Sequence, residues 1–131
     1  MIDLQPKKCN LCGGPIEYIS NAAVYHGREY GSGKCYHCIQ CGAYVGTHRD
    51  RPQEALGIHA NADMREWKIK CHDLFDALWR SEQTSKQRQR RTKLYRRLAK
   101  ELHIPQDECH FGYFDFEMLK KAYKVLTENI I

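Results

Sequence analysis

The chain has 131 residues, 42% hydrophobic and 11% aromatic, which is enough for a packed core and too apolar for wholesale disorder. That length holds one domain or two small modules, and no apolar run approaches the roughly 18 residues of a membrane span. A formal charge of +5 does not by itself make a nucleic-acid binder.

The first residues, MIDLQPKKCNLCGG, carry no apolar core of a signal peptide, so the expected compartment is a reducing cytoplasm. There, seven cysteines in paired Cys-x-x-Cys spacings point to metal rather than to disulfides. Cys9 and Cys12 are followed by Gly13, and Cys38 and Cys41 by Gly42. Both are Cys-x-x-Cys-Gly knuckles: two thiolates converge from one tight turn, its N–H groups bond the sulfurs, and glycine tolerates the positive φ the turn demands. The predicted metal ligands are therefore Cys9, Cys12, Cys38 and Cys41, a closed four-cysteine site for one structural Zn²⁺ with no open position for water. Counting four thiolates and the ion, the net charge becomes about +3.

Between the knuckles, PIEYISNAAVYHG alternates as a hairpin does, and AYVGTH reads as a strand leaving the second knuckle. Residues 1–50 are thus expected to form a zinc-ribbon module. Cys35 has no glycine three places on, which leaves it a bystander or an alternate ligand, and His37 is expected to face outward. Residues 51–60 read as a connector.

From residue 61 to 131 the period changes from two to 3.6. Met64, Trp67, Cys71, Leu74, Phe75 and Leu78 fall on one helical stripe behind a capping Asn61, with Cys71 as a buried apolar residue. SEQTSKQ breaks the pattern. Leu94, Leu98 and Leu102, with Tyr95 beside them, make a second helix that Pro105 stops. Asp115 caps a third, carrying Leu119, Ala122, Tyr123, Leu126 and Ile130. The expected fold class is α+β: a small four-cysteine zinc ribbon of short antiparallel strands packed against a three-helix region.

The stretch 80–100 holds nine Lys and Arg against Glu82, a net +8 in 21 residues. Lys86, Arg88, Arg90, Arg91, Lys93, Arg96, Arg97 and Lys100 would therefore grip a phosphate backbone or an acidic partner; a merely solvated face is the plainer reading. Ribbon tyrosines such as Tyr25, Tyr36 or Tyr44 could stack on exposed bases, although a partly buried place in the ribbon suits them better.

The succession CNLCGGP, CIQCGAYVGTH, ALGIHANADMREWKIKCHDLFDALW, RTKLYRRLAKELHI and ECHFGYFDFEML resembles a family of small phage and bacterial proteins grouped as a zinc-finger-containing domain. The similarity runs from about Cys9 to Lys124. It rests on the two knuckles, on Tyr44, Val45, Gly46 and His48, on Leu56–Gly57, and on Arg65. It continues through His72, Phe75, Asp76, Leu78 and Trp79 to the turn with Cys109, His110 and Gly112. Cys35 and Cys71 lie outside it. The resemblance implies metal and a mobile-element context, and it carries no established activity with it.

His48, His72, Asp76, Cys109 and His110 form a possible polar cluster, either a buried network or a second metal or acid–base site. No glycine-rich nucleotide loop, nucleophile elbow or His-Glu-x-x-His motif accompanies it. The leading expectation is a non-catalytic zinc-ribbon protein that binds DNA or RNA through a basic helix. Alternatives are a phage-type protein that inhibits or redirects a host protein, and a metal-assisted hydrolase. Neither a membrane nor a small-molecule substrate is expected.

Overall fold

The computed structural model describes residues 2–131, and the chain divides into two compact units between Ala62 and Asp63. In the first unit, strands β1 (Ile16–Ser20), β2 (Lys34–Cys38) and β3 (Tyr44–Gly46) form an antiparallel meander in the order β1-β2-β3. Ile16 stands opposite Cys38, and Tyr18 opposite Tyr36, which in turn faces Val45. By the two-residue period these side chains share one face. Ile16 joins its two small cores there, Tyr36 with Val45 and Ala55, and Cys9 with Cys38 and Ala43.

The segment expected to be a hairpin is a strand followed by a loop. Ser20 Oγ accepts from Ala22 N–H and turns the chain into a 3-10 turn at Asn21–Ala23. Buried Asn21 then clamps the loop, donating to Tyr30 O at 2.7 Å and accepting from Tyr30 N–H at 3.1 Å. The partner strand is KCYHC, whose alternation is hidden in the sequence by its two cysteines.

Residues 51–60 fold back on the sheet. Bridges pair Thr47 with Ala55 and Tyr44 with Ala60, and the hydroxyls of Tyr18 and Tyr36 donate to Pro52 O and Gln53 O. Ala55, His59 and Ala60 are buried, so this segment adds core to the ribbon unit as well as linking onward.

The second unit holds α1 (Ala62–Arg80) from its second residue onward, α2 (Gln87–Leu102) and α3 (Phe116–Thr127). Met64, Cys71 and Phe75 are buried on α1, Leu94, Leu98, Ala99 and Leu102 on α2, and Leu119, Ala122, Val125 and Leu126 on α3. Ile130 lies past the end of α3 and is exposed; Val125 takes the place expected for it in the core. Asp115 does cap α3, accepting from Met118 N–H at 2.9 Å. His103 ends α2 in the left-handed region (φ 57°), with Ile104 N–H reaching back to Ala99 O at 3.0 Å, a Schellman closure. Phe111, in a 3-10 turn between α2 and α3, meets the rings of Phe75, Tyr95, Phe114 and His72. Among the described residues no helix is long and apolar enough to cross a membrane.

Candidate functional site

The two knuckles are built alike, bond for bond. In the first, Cys9 N–H donates to Gly14 O at 2.9 Å and Gly13 N–H to Cys9 O at 2.9 Å. In the second, Cys38 N–H donates to Ala43 O at 2.8 Å and Gly42 N–H to Cys38 O at 3.0 Å. Gly13 and Gly42 have φ of 76° and 81°, the left-handed conformation in which a Cβ would crowd the following carbonyl. Backbone N–H groups aim at sulfur: Leu11 at Cys9 (3.4 Å), Gly14 at Cys12 (3.3 Å) and Cys41 at Cys38 (3.4 Å). These bonds stabilise thiolates, because an N–H donates to S⁻ far better than to a neutral thiol.

The meander brings the knuckles together. Sγ atoms of Cys9, Cys12, Cys38 and Cys41 all lie within 4.8 Å of one another. A tetrahedron with Zn–S bonds of about 2.3 Å has edges of about 3.8 Å. Cys9–Cys41 at 3.7 Å and Cys12–Cys38 at 3.4 Å match that edge. The shared environment splits the thiols. Cys38 is drawn down to about 6, foremost by the Cys41 N–H. The Gly14 N–H pulls Cys12 down in the same way, but burial and the neighbouring sulfurs outweigh it and push Cys12 up to about 12. Four sulfurs this close become thiolates together only around a cation, and the set fits one structural zinc.

Cys35 is not among the donors. It is buried on the opposite face of β2, between Ile19 and Gly46, and burial, then the charge of Glu17, push its thiol up. His37 is half-buried rather than free in solvent, with Nδ1 2.9 Å from Glu17 Oε1 across the strands. Sequence reasoning missed the brace behind the first knuckle. Asn10 accepts from His59 N–H at 2.8 Å and donates to His59 O at 3.1 Å, which ties the 51–60 segment to the metal loop. Nothing in Cys-Asn-Leu-Cys distinguishes that asparagine from filler.

A two-knuckle, four-cysteine centre on a three-stranded meander defines the class, a zinc-binding ribbon joined to a helical unit. The chain belongs to the zinc-finger-containing domain family, whose model matches residues 5–129. No curated protein and no solved structure matches the chain significantly.

The eight basic residues of the 86–100 stretch lie on or beside α2. All are exposed except half-buried Arg90. Lys86, Lys93 and Lys100 repeat every seven residues on the side opposite the buried leucines, flanked by Arg90, Arg96 and Arg97. Arg91, seven residues before Leu98, lies at the N-terminal end of the leucine side with Arg88 beside it. Among the described residues none of the eight makes an ion pair. Of the ribbon tyrosines, Tyr36 is buried, whereas Tyr25 is 38% exposed and packs edge-on to Tyr30 and Tyr44.

The residues of the possible polar cluster are divided between the two units. His48 is half-buried in the first unit. In the second unit His72 and His110 are exposed, and each ring packs on an aromatic neighbour, Phe111 at 4.7 Å and Tyr113 at 4.6 Å. Asp76 accepts from the Trp79 indole N–H at 2.8 Å, and Cys109 is a buried thiol pushed up to about 11 by burial. Cys71, raised likewise to about 11, donates to Leu119 O. Among the described residues the four ribbon cysteines are the only three-or-more group of His, Cys, Asp or Glu donors that converges.

Proposed function

We propose that this is a non-catalytic zinc-ribbon protein that binds nucleic acid through the basic face of α2. The observation that carries the reading is the unpaired charge of that helix. Its first turn has no acidic residue, Lys86 precedes it without a side-chain cap, and like charges recur four apart at Lys86–Arg90, Lys93–Arg97 and Arg96–Lys100. Each such pair costs roughly 0.2–0.5 kcal/mol, and cations near a helix N-terminus oppose its dipole. A row of phosphates relieves both costs and gains entropy from released counterions.

The absence of catalysis is part of the same proposal. It is supported by a closed four-thiolate site, which leaves zinc no coordination position for water. Resemblance to small phage and bacterial proteins makes a mobile genetic element the proposed source and the cytoplasm the proposed compartment.

The test is fluorescence anisotropy of the zinc-loaded chain with labelled single- and double-stranded DNA and RNA at several salt concentrations. Binding should weaken steeply with salt. Changing Lys93, Arg96, Arg97 and Lys100 to alanine should flatten the log–log slope by up to about 0.7–0.9 for each phosphate that is no longer neutralised. Absence of binding near physiological salt, or a slope untouched by the four substitutions, overturns the reading and leaves a host protein as the partner to seek.

A further inference from the structure

A groove of about 620 Å³ opens between the C-terminal half of α1 and the N-terminal half of α2. His72, Asp76, Trp79 and Arg80 line it from one helix, Arg88 and Arg91 from the other. Its single carboxylate is already engaged: Asp76 accepts from the Trp79 indole N–H at 2.8 Å and lies 3.6 Å from the Arg80 guanidinium. Asp76 thereby anchors the edge of the Trp79 ring. Arg80 rests over that ring at 5.1 Å but is 65% exposed, so a ligand can cover or displace it. Arg91 reaches the Tyr95 hydroxyl at 3.4 Å and, like Arg88, has no ionic partner among the described residues. Arg88 also lines a second, adjoining hollow with Thr92, Lys93 and Arg96, so positive charge continues from the groove onto α2.

An anchored indole beside two guanidiniums that have no carboxylate partner among the described residues, one of them resting over the Tyr95 ring at 5.1 Å, matches one chemistry, a flat ring attached to a phosphate. The geometry points to this groove as the site where an unpaired base of a single strand stacks on Trp79 while its phosphate is held by Arg88 and Arg91. The strand then runs along α2 past Lys93 and Arg96. This rests on the nucleic-acid reading above and narrows it to single strands, because a base within a duplex keeps both faces stacked and cannot reach the indole. A volume of about 620 Å³ is ample for one nucleotide.

The chain has two tryptophans, and Trp67 lies against Phe116 and Tyr123 rather than in the groove. A Trp67→Phe chain therefore reports on Trp79 alone. Titrating it with a single-stranded oligonucleotide should quench its emission saturably, and the matched duplex should leave it unchanged. In anisotropy, Trp79→Ala should weaken single-strand binding roughly tenfold and Trp79→Phe much less. Arg88→Ala with Arg91→Ala should weaken single-strand affinity more than duplex affinity. Circular dichroism of each variant checks that the helices persist. Salt-dependent binding with unchanged Trp79 emission, or equal binding of duplex and single strand, overturns the groove assignment and leaves the α2 reading standing. No binding to any nucleic acid overturns both.

Discussion

A Cβ built on Gly14 would lie 2.6 Å from Gln40 Cβ and 3.2 Å from the sulfurs of both Cys12 and Cys38, so a methyl there presses on the metal centre. Gly42 differs: nothing lies within 4 Å of its Cβ position, and its constraint is the φ of 81°. Gly42→Ala should therefore cost about 1–2 kcal/mol through backbone strain alone. Gly14→Ala should cost at least that by overpacking, about 1–3 kcal/mol, and should lower zinc affinity as well. Competition with a chromophoric chelator checks the pair; a Gly14→Ala chain that holds zinc as tightly as the parent would refute the steric account. Cys35 offers the complementary comparison. Cys35→Ala should retain one zinc per chain by elemental analysis, and Cys38→Ala should lose it. The knuckle repeat made the four ligands legible in the sequence, whereas the role of Gly14 was not, because its tightest neighbour, Gln40, comes from the other knuckle.

Helical stripes were equally legible for their apolar residues and less so for their ends. Leu94, Leu98 and Leu102 are buried at the expected spacing, and Asp115 caps the helix behind it. Phe111 gives no periodic signal, since it stands in a single 3-10 turn, yet four aromatic rings surround it. Phe111→Ala should destabilise the chain by about 3–5 kcal/mol, against roughly 1 kcal/mol for Asp115→Ala. Chemical denaturation followed by helical circular dichroism would rank them, and the reverse order would show that the turn is peripheral to the core. The motif HDLFDALW is divided by the helical period: Phe75 points into the core, while His72, Asp76 and Trp79 line the groove.

At the scale of the molecule, two small buried clusters of three residues each, both touching Ile16, lie in the ribbon unit among the described residues. A core this small leaves the ribbon dependent on its metal centre for folding, because a unit of this size buries too little apolar surface to order its backbone alone. Stripping zinc with a strong chelator should abolish amide-exchange protection across β1 to β3. Zinc affinity should also fall as pH is lowered, because each ligand must lose a proton to bind and acid restores it. Zinc titrations at two pH values check this, and an affinity independent of pH would exclude thiolate ligation.

Sequence by itself determined the four metal ligands, the helix stripes and the concentration of charge at 80–100. Each of those is a local spacing that survives whatever the rest of the chain does. Tertiary structure alone decided that Cys35 is a buried thiol, that residues 51–60 complete the ribbon, and that Trp79 shares a groove with Arg88 and Arg91. Those facts depend on which segments become neighbours in space. Such neighbourhoods are set by strand register, by the Asn10–His59 brace and by the packing of α1 and α2, for which no short sequence pattern exists.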